Sequence, residues 1–132
     1  MTDSTYRKAA DLASGFLVEG KTVVVDAGFA LQKYRDMFRS VALKLNVSFI
    51  VLQLKCSEKL IEEHMNTRKT DPDEVSDADL SVHKKMAAVF EPPDEIADWQ
   101  RLIWNSGGDP DLLLSELFDK LIENQAQVAA AQ

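Results

Sequence analysis

Lys21-Thr22-Val23-Val24-Val25-Asp26 is the stretch that most limits what this chain can become. Four β-branched residues in succession are poor helix formers, because two heavy atoms on Cβ crowd the preceding turn. Gly20 and Gly28 bracket the run, and a short apolar run between turn residues reads as a strand buried on both faces. Val47–Lys55 and Arg101–Trp104 give two further strand-like runs. Helical periodicity fills the intervals. Thr5–Glu19 sets Ala9, Leu12, Ala13, Phe16 and Leu17 on one face, and Gly20 suits the stop. Ala30–Leu45 turns Leu31, Tyr34, Met37, Phe38, Val41 and Leu45 inward, with Asn46 at its end. Ser57 can cap a helix to about Arg68, and Ser76-Asp77-Ala78-Asp79 can open another to about Phe90. Asp109 and Pro110 supply an N-cap and an N1 proline for a last helix to about Glu123. The order α-β-α-β-α-α-β-α predicts a three-layer αβα domain with a short parallel sheet and right-handed crossovers. In such sheets ligands bind beyond the carboxyl ends of the strands. Here that means the loops after Asp26, Lys55 and Trp104.

A chain of 132 residues and 14.8 kDa has room for one core. A single domain over 1–125 is expected, with the Ala/Gln-rich tail 126–132 frayed. Apolar residues at 45% and charged residues at 28% exclude wholesale disorder. The net charge of −7 makes nucleic acid and anionic membrane poor partners. The charge is uneven, since residues 1–55 carry 8 basic and 5 acidic groups and only this third is positive. Cys56 is the single cysteine, so no internal disulfide forms and a reducing, cytoplasmic setting is expected. Neither His64 nor His83 has a metal-ligand partner at helical spacing. No apolar run reaches the length of a membrane span.

Gly15-Phe16-Leu17-Val18-Glu19-Gly20-Lys21-Thr22 spells G-x-x-x-x-G-K-[ST] letter for letter. A phosphate loop needs more than letters: it must follow a strand and open a helix whose N-terminus faces the anion. This one follows a helix-like segment and leads into a strand-like one. Gly20 ending a helix is therefore the expected reading, and an atypical loop serving a small NTPase is the alternative.

The segments Leu17-Val18-Glu19-Gly20-Lys21-Thr22-Val23-Val24-Val25-Asp26-Ala27-Gly28-Phe29, Phe49–Cys56, Leu60–Arg68, Glu91-Pro92-Pro93 and Asn105-Ser106-Gly107-Gly108-Asp109-Pro110 occur in a telling order. In that order the chain resembles a P-loop kinase of the AAA-type ATP-binding group, with gluconate-kinase-like and zeta-toxin-like relatives. The resemblance runs over about residues 5–123. It places the family's first strand, true phosphate loop and second strand before residue 5, so the chain resembles the C-terminal two-thirds of such a domain. It implies phosphoryl transfer from ATP with Mg²⁺ to a small molecule in the complete domain, and inactivity of this part alone. It also implies that the sheet is completed by an upstream segment or by further copies of the chain. A non-catalytic, self-associating α/β module is the competing expectation.

The resemblance gives individual residues roles. Asp26 would hold Mg²⁺ and water beside the phosphates, or else cap the next turn. Arg35 would sit near the acceptor substrate, or else on a solvated helix face with Lys33 and Arg39. Arg68 would reach the transferring phosphoryl group from a lid, or else complement a helix C-terminus. The family's lid usually carries a second arginine four residues earlier, where this chain has His64. Asn105, Ser106, Gly107 and Gly108 would touch adenine, or else form a plain strand-to-helix turn. Cys56 reads as a packed thiol, and Trp99 and Trp104 as packing residues beside the third strand.

Overall fold

The computed structural model describes residues 2–56 and 88–130. They form helix α1 (Asp3–Val18), helix α2 (Gln32–Leu45), strand β1 (Val51–Lys55), a 3-10 turn (Asp98–Gln100), strand β2 (Arg101–Asn105) and helix α3 (Pro110–Ala130). The strands are parallel and in register from Val51 opposite Arg101 to Lys55 opposite Asn105. The chain is thus of the α/β class with a short parallel sheet. The helices expected between Ser57 and Phe90, with Arg68 and His64 on the first, lie outside the described residues, apart from the last residues of the second.

Helix α1 begins where the Thr2 hydroxyl accepts the Thr5 N–H at 3.4 Å. It ends in a Schellman motif, with Gly20 N–H on Leu17 O at 3.0 Å and Lys21 N–H on Phe16 O at 3.1 Å. Gly20 sits at φ 82°, a left-handed value that glycine adopts without cost. Helix α2 stops by the same pair of bonds, now with Asn46 at φ 58°.

The inward face of α1 is rotated from the one expected. Tyr6, Ala10 and Ala13 are buried, while Leu12 and Phe16 are exposed. The small alanines let α2 approach closely, and Tyr6 fills the space above them. Its ring stacks on Tyr34 with centroids 3.8 Å apart, and Phe29 meets Phe38 edge-on at 5.2 Å. Val23, Val25, Phe29 and Phe49 pack against this cluster.

The strand expected at Lys21–Asp26 does not form. Residues 21–30 follow an irregular path from α1 to α2, pairing with neither β1 nor β2. Their burial nevertheless alternates, with Val23, Val25, Ala27 and Phe29 half-buried and Thr22, Val24, Asp26 and Gly28 exposed. The β-branched run shaped the side-chain pattern, but a strand also needs a neighbour to pair its backbone.

Helix α3 continues to Ala130, past the end expected near Glu123, so residues 126–130 are helical where fraying was expected. Alanine and glutamine favour helix, and Val128 helps line a cleft against α2. Asn124 at its inner face is fully buried. Its side chain accepts the Phe49 N–H at 3.1 Å and donates to Trp99 O at 2.7 Å, joining α3 to the segments that lead into both strands.

Candidate functional site

Parallel pairing in register brings the carboxyl ends of β1 and β2 side by side. Ser106 N–H bonds Lys55 O at 2.7 Å, so the turn after β2 closes over the end of β1. Gly107 has φ 95° and Gly108 N–H returns to Asn105 O at 3.2 Å. A Cβ on Gly108 would lie 2.7 Å from the Trp104 ring, so only glycine lets the indole close on the backbone there. Asp109 Oδ1 then accepts the Asp111 N–H at 3.0 Å and starts α3. Ile103, Trp104, Asn105, Gly108, Leu112 and Glu116 surround a shallow depression of about 280 Å³. The Asn105–Gly108 turn therefore lies at the end of the sheet where ligands of such folds bind.

Asp26 lies on the unpaired connection and is exposed, and no hydrogen bond or ion pair joins it to another described residue. Nothing in the geometry ties it to the Asn105–Gly108 turn. Among the described residues, no three His, Cys, Asp or Glu side chains converge into a cluster able to hold a metal ion. A lone exposed carboxylate holds Mg²⁺ weakly.

Lys21 leans on Glu19 at 2.9 Å and on the Phe16 ring at 5.1 Å. Gly15 is inside α1, and the amides of Gly20 and Lys21 are spent on helix carbonyls. The eight letters Gly15–Thr22 thus form a helix stop, which does not fit a nucleotide's phosphates. The atypical-loop alternative loses its geometry here.

Arg35 is 3% exposed, which removes the solvated-face reading. Its Nε donates to Glu95 Oε1 at 2.6 Å, Nη1 to Phe29 O at 2.7 Å, and Nη2 to Glu95 Oε2 and Pro92 O, both at 3.3 Å. The guanidinium thus grips both the connection and the Pro92–Glu95 segment. Burial pushes the Glu95 carboxyl up. The hydrogen bonds from Arg35 and from its own backbone, with the charges of Arg35 and Arg39, outweigh that and hold it below its ordinary 4.5. Glu91 accepts the Gln32 N–H at 3.1 Å, and its own N–H bonds Ala30 O at 2.7 Å.

Sequence reasoning missed Glu95 and Asn124. The one available signal for Glu95 was an acidic residue just beyond a proline pair, with an arginine-bearing helix elsewhere in the chain. Asn124 carried none, since a polar residue late in a helix looks like any solvated position.

The described parts form an α/β domain with a short parallel sheet, consistent with a P-loop kinase-like fold. Comparison with known families finds residues 1–93 matching the family described as AAA domain, 93 of the 132 residues. The chain belongs to that family, a nucleotide-binding kinase-like group. The match takes in α1, the connection, α2 and β1, while β2 and α3 lie beyond it. No curated protein and no solved structure matches the chain.

Proposed function

We propose that this chain is the C-terminal part of an ATP-dependent small-molecule kinase domain, related to the gluconate-kinase-like and zeta-toxin-like groups. By its own residues it transfers no phosphoryl group. The family match over residues 1–93 carries the first half of this reading. The helix stop at Gly15–Thr22 carries the second. The chain has 5 glycines, and none of the others completes a phosphate-loop pattern. Without such a cradle the largest electrostatic contribution to phosphoryl transfer is missing.

In the complete site Asp26 would serve Mg²⁺, Arg68 the lid, and Asn105–Gly108 the adenine side. Arg35 is better assigned as a positioning residue than as a substrate contact, because its guanidinium already makes four hydrogen bonds, to the Glu95 carboxylate, Phe29 O and Pro92 O. A reducing, cytoplasmic compartment fits a chain whose single cysteine cannot pair internally. No helix among the described residues is long and apolar enough to cross a membrane.

A second reading, a non-catalytic module that self-associates, is favoured by one observation. Val24, Leu54, Phe118 and Ile122 are each more than 60% exposed. Such uncovered apolar surface favours association.

Calorimetric titration of the whole chain with ATP and Mg²⁺ tests the main reading, with light scattering on the same sample. No binding heat is expected at micromolar concentrations. Micromolar binding abolished by Lys21→Ala would overturn it and restore the phosphate-loop alternative.

A further inference from the structure

Among the described residues, two that are not glycine take a left-handed backbone, Asn46 at φ 58° and Phe29 at φ 46°. Asn46 closes α2, where that conformation ends a helix and asparagine tolerates it. Phe29 ends no helix, and a bulky side chain is an outlier in this region. The adjacent Gly28 could adopt the conformation freely and does not. The strain therefore sits on Phe29, and it persists only because the surroundings hold it there. Both of its backbone groups are held. Its N–H donates to Tyr6 Oη at 3.0 Å, and its carbonyl accepts from Arg35 Nη1 at 2.7 Å. Its ring packs on Tyr6 and Phe38, with centroids 5.3 and 5.2 Å away.

Arg35 reaches that carbonyl from a fixed position. Nε and Nη2 meet the two oxygens of Glu95 at 2.6 and 3.3 Å. This forked contact sets the plane of the guanidinium and so the aim of Nη1. Glu91 bonds the neighbouring Ala30 and Gln32 but not Phe29 itself. We infer that Phe29 is a two-state joint through which the Pro92–Glu95 segment controls the course of the connection that carries Asp26. The joint is left-handed while Tyr6 and Arg35 both hold it, and extended when either lets go. The states are discrete, because the left-handed and extended regions are separate wells for a residue with a Cβ. Val25 and Ala27 are half-buried on the same side as Phe29, and Asp26 stands between them, so a turn of the joint displaces the carboxylate. The inference goes beyond the kinase reading and does not rest on it, since no nucleotide enters it.

The test is nuclear magnetic resonance of the whole chain, at a temperature where circular dichroism shows the helices intact. A positive φ brings a residue's own HN and Hα close together, so Phe29 should give a strong intraresidue NOE in the native chain. Arg35→Lys keeps the charge but has no fork to aim. Glu95→Gln keeps one acceptor oxygen and loses the other. In both, the Phe29 NOE should fall to the level of extended residues, and the amide shifts of Asp26, Ala27 and Gly28 should move with it. Tyr6→Phe should do the same and speed exchange of the Phe29 amide. Phe29→Gly needs no clamp to be left-handed, so Glu95→Gln added to it should leave those three shifts where Phe29→Gly alone puts them. A merely structural role for Glu95 would move them equally in both backgrounds. A weak NOE in the native chain, or a strong one that survives in Arg35→Lys and Glu95→Gln, would overturn the joint. If Phe29→Gly does not fold, those single variants decide the matter.

Discussion

Arg35 and Glu95 meet at 2.6 Å with side chains 3% and 11% exposed. At that burial neither charge is satisfied by water, so each depends on the other. Removing one partner of such a pair strands the remaining charge and costs about 3–5 kcal/mol. Arg35→Ala should lose that much stability in urea unfolding. It should do so without any ligand, as a positioning role requires. The pair also sets a pH dependence. Glu95 titrates below its ordinary 4.5 in the folded chain. A depressed carboxyl contributes stability that is present above the unfolded value and lost as pH falls through the folded one. The urea midpoint should therefore fall as pH drops below about 4.5, and Glu95→Gln should flatten that dependence relative to the native chain. An unchanged acid slope in Glu95→Gln would show that other carboxylates govern it.

Helix α3 is fixed to the strands through Asn124, whose amide is used in both directions. Asn124→Leu would leave the Phe49 N–H and the Trp99 carbonyl unpaired, for a loss of about 2–3 kcal/mol. Asn124→Asp keeps an acceptor for Phe49 but sets a buried carboxylate oxygen against the Trp99 carbonyl, so it should lose at least as much, and thermal unfolding of the two variants checks this. The elements themselves were largely legible in the sequence. Gly20, Asn46 and Asp109-Pro110 marked helix ends through local backbone chemistry, and the structure uses each of them so. The parallel pairing followed from strands separated by helices. Two things were not legible. Periodicity chose Leu12 and Phe16 for the inner face of α1, whereas Tyr6, Ala10 and Ala13 hold it, because close helix approach rewards small side chains. The Val23–Val25 run promised a strand, but no local pattern tells whether a partner backbone will be present. Of the candidate site, the position of the Asn105–Gly108 turn was readable from strand order. The inward grip of Arg35 was not, since its partner lies 60 residues away in the chain.

On the scale of the whole molecule, the Glu91–Glu95 segment is held to α2 and the connection by Arg35 and Arg39 on Glu95 and by the Gln32 and Ala30 bonds of Glu91, while Asn124 holds α3 to Phe49 and Trp99. Both tryptophans lie in the later part, at positions 99 and 104, while α1 and α2 contribute to helical circular dichroism. If the ties make one cooperative unit, fluorescence and ellipticity should report the same urea transition. In Arg35→Ala the two curves should part, with ellipticity beginning to fall first. Coincident curves in that variant would mean that the Glu91 and Arg39 bonds suffice to couple the layers.

The Schellman stop at Gly20 has a bearing on how short patterns carry information. Amide protons are exclusive property: once those of Gly20 and Lys21 are given to Leu17 and Phe16, none is left to greet an anion. The same eight letters can therefore encode two incompatible messages, a cradle or a full stop. What decides between them is grammar, namely the element that comes before and the element that comes after.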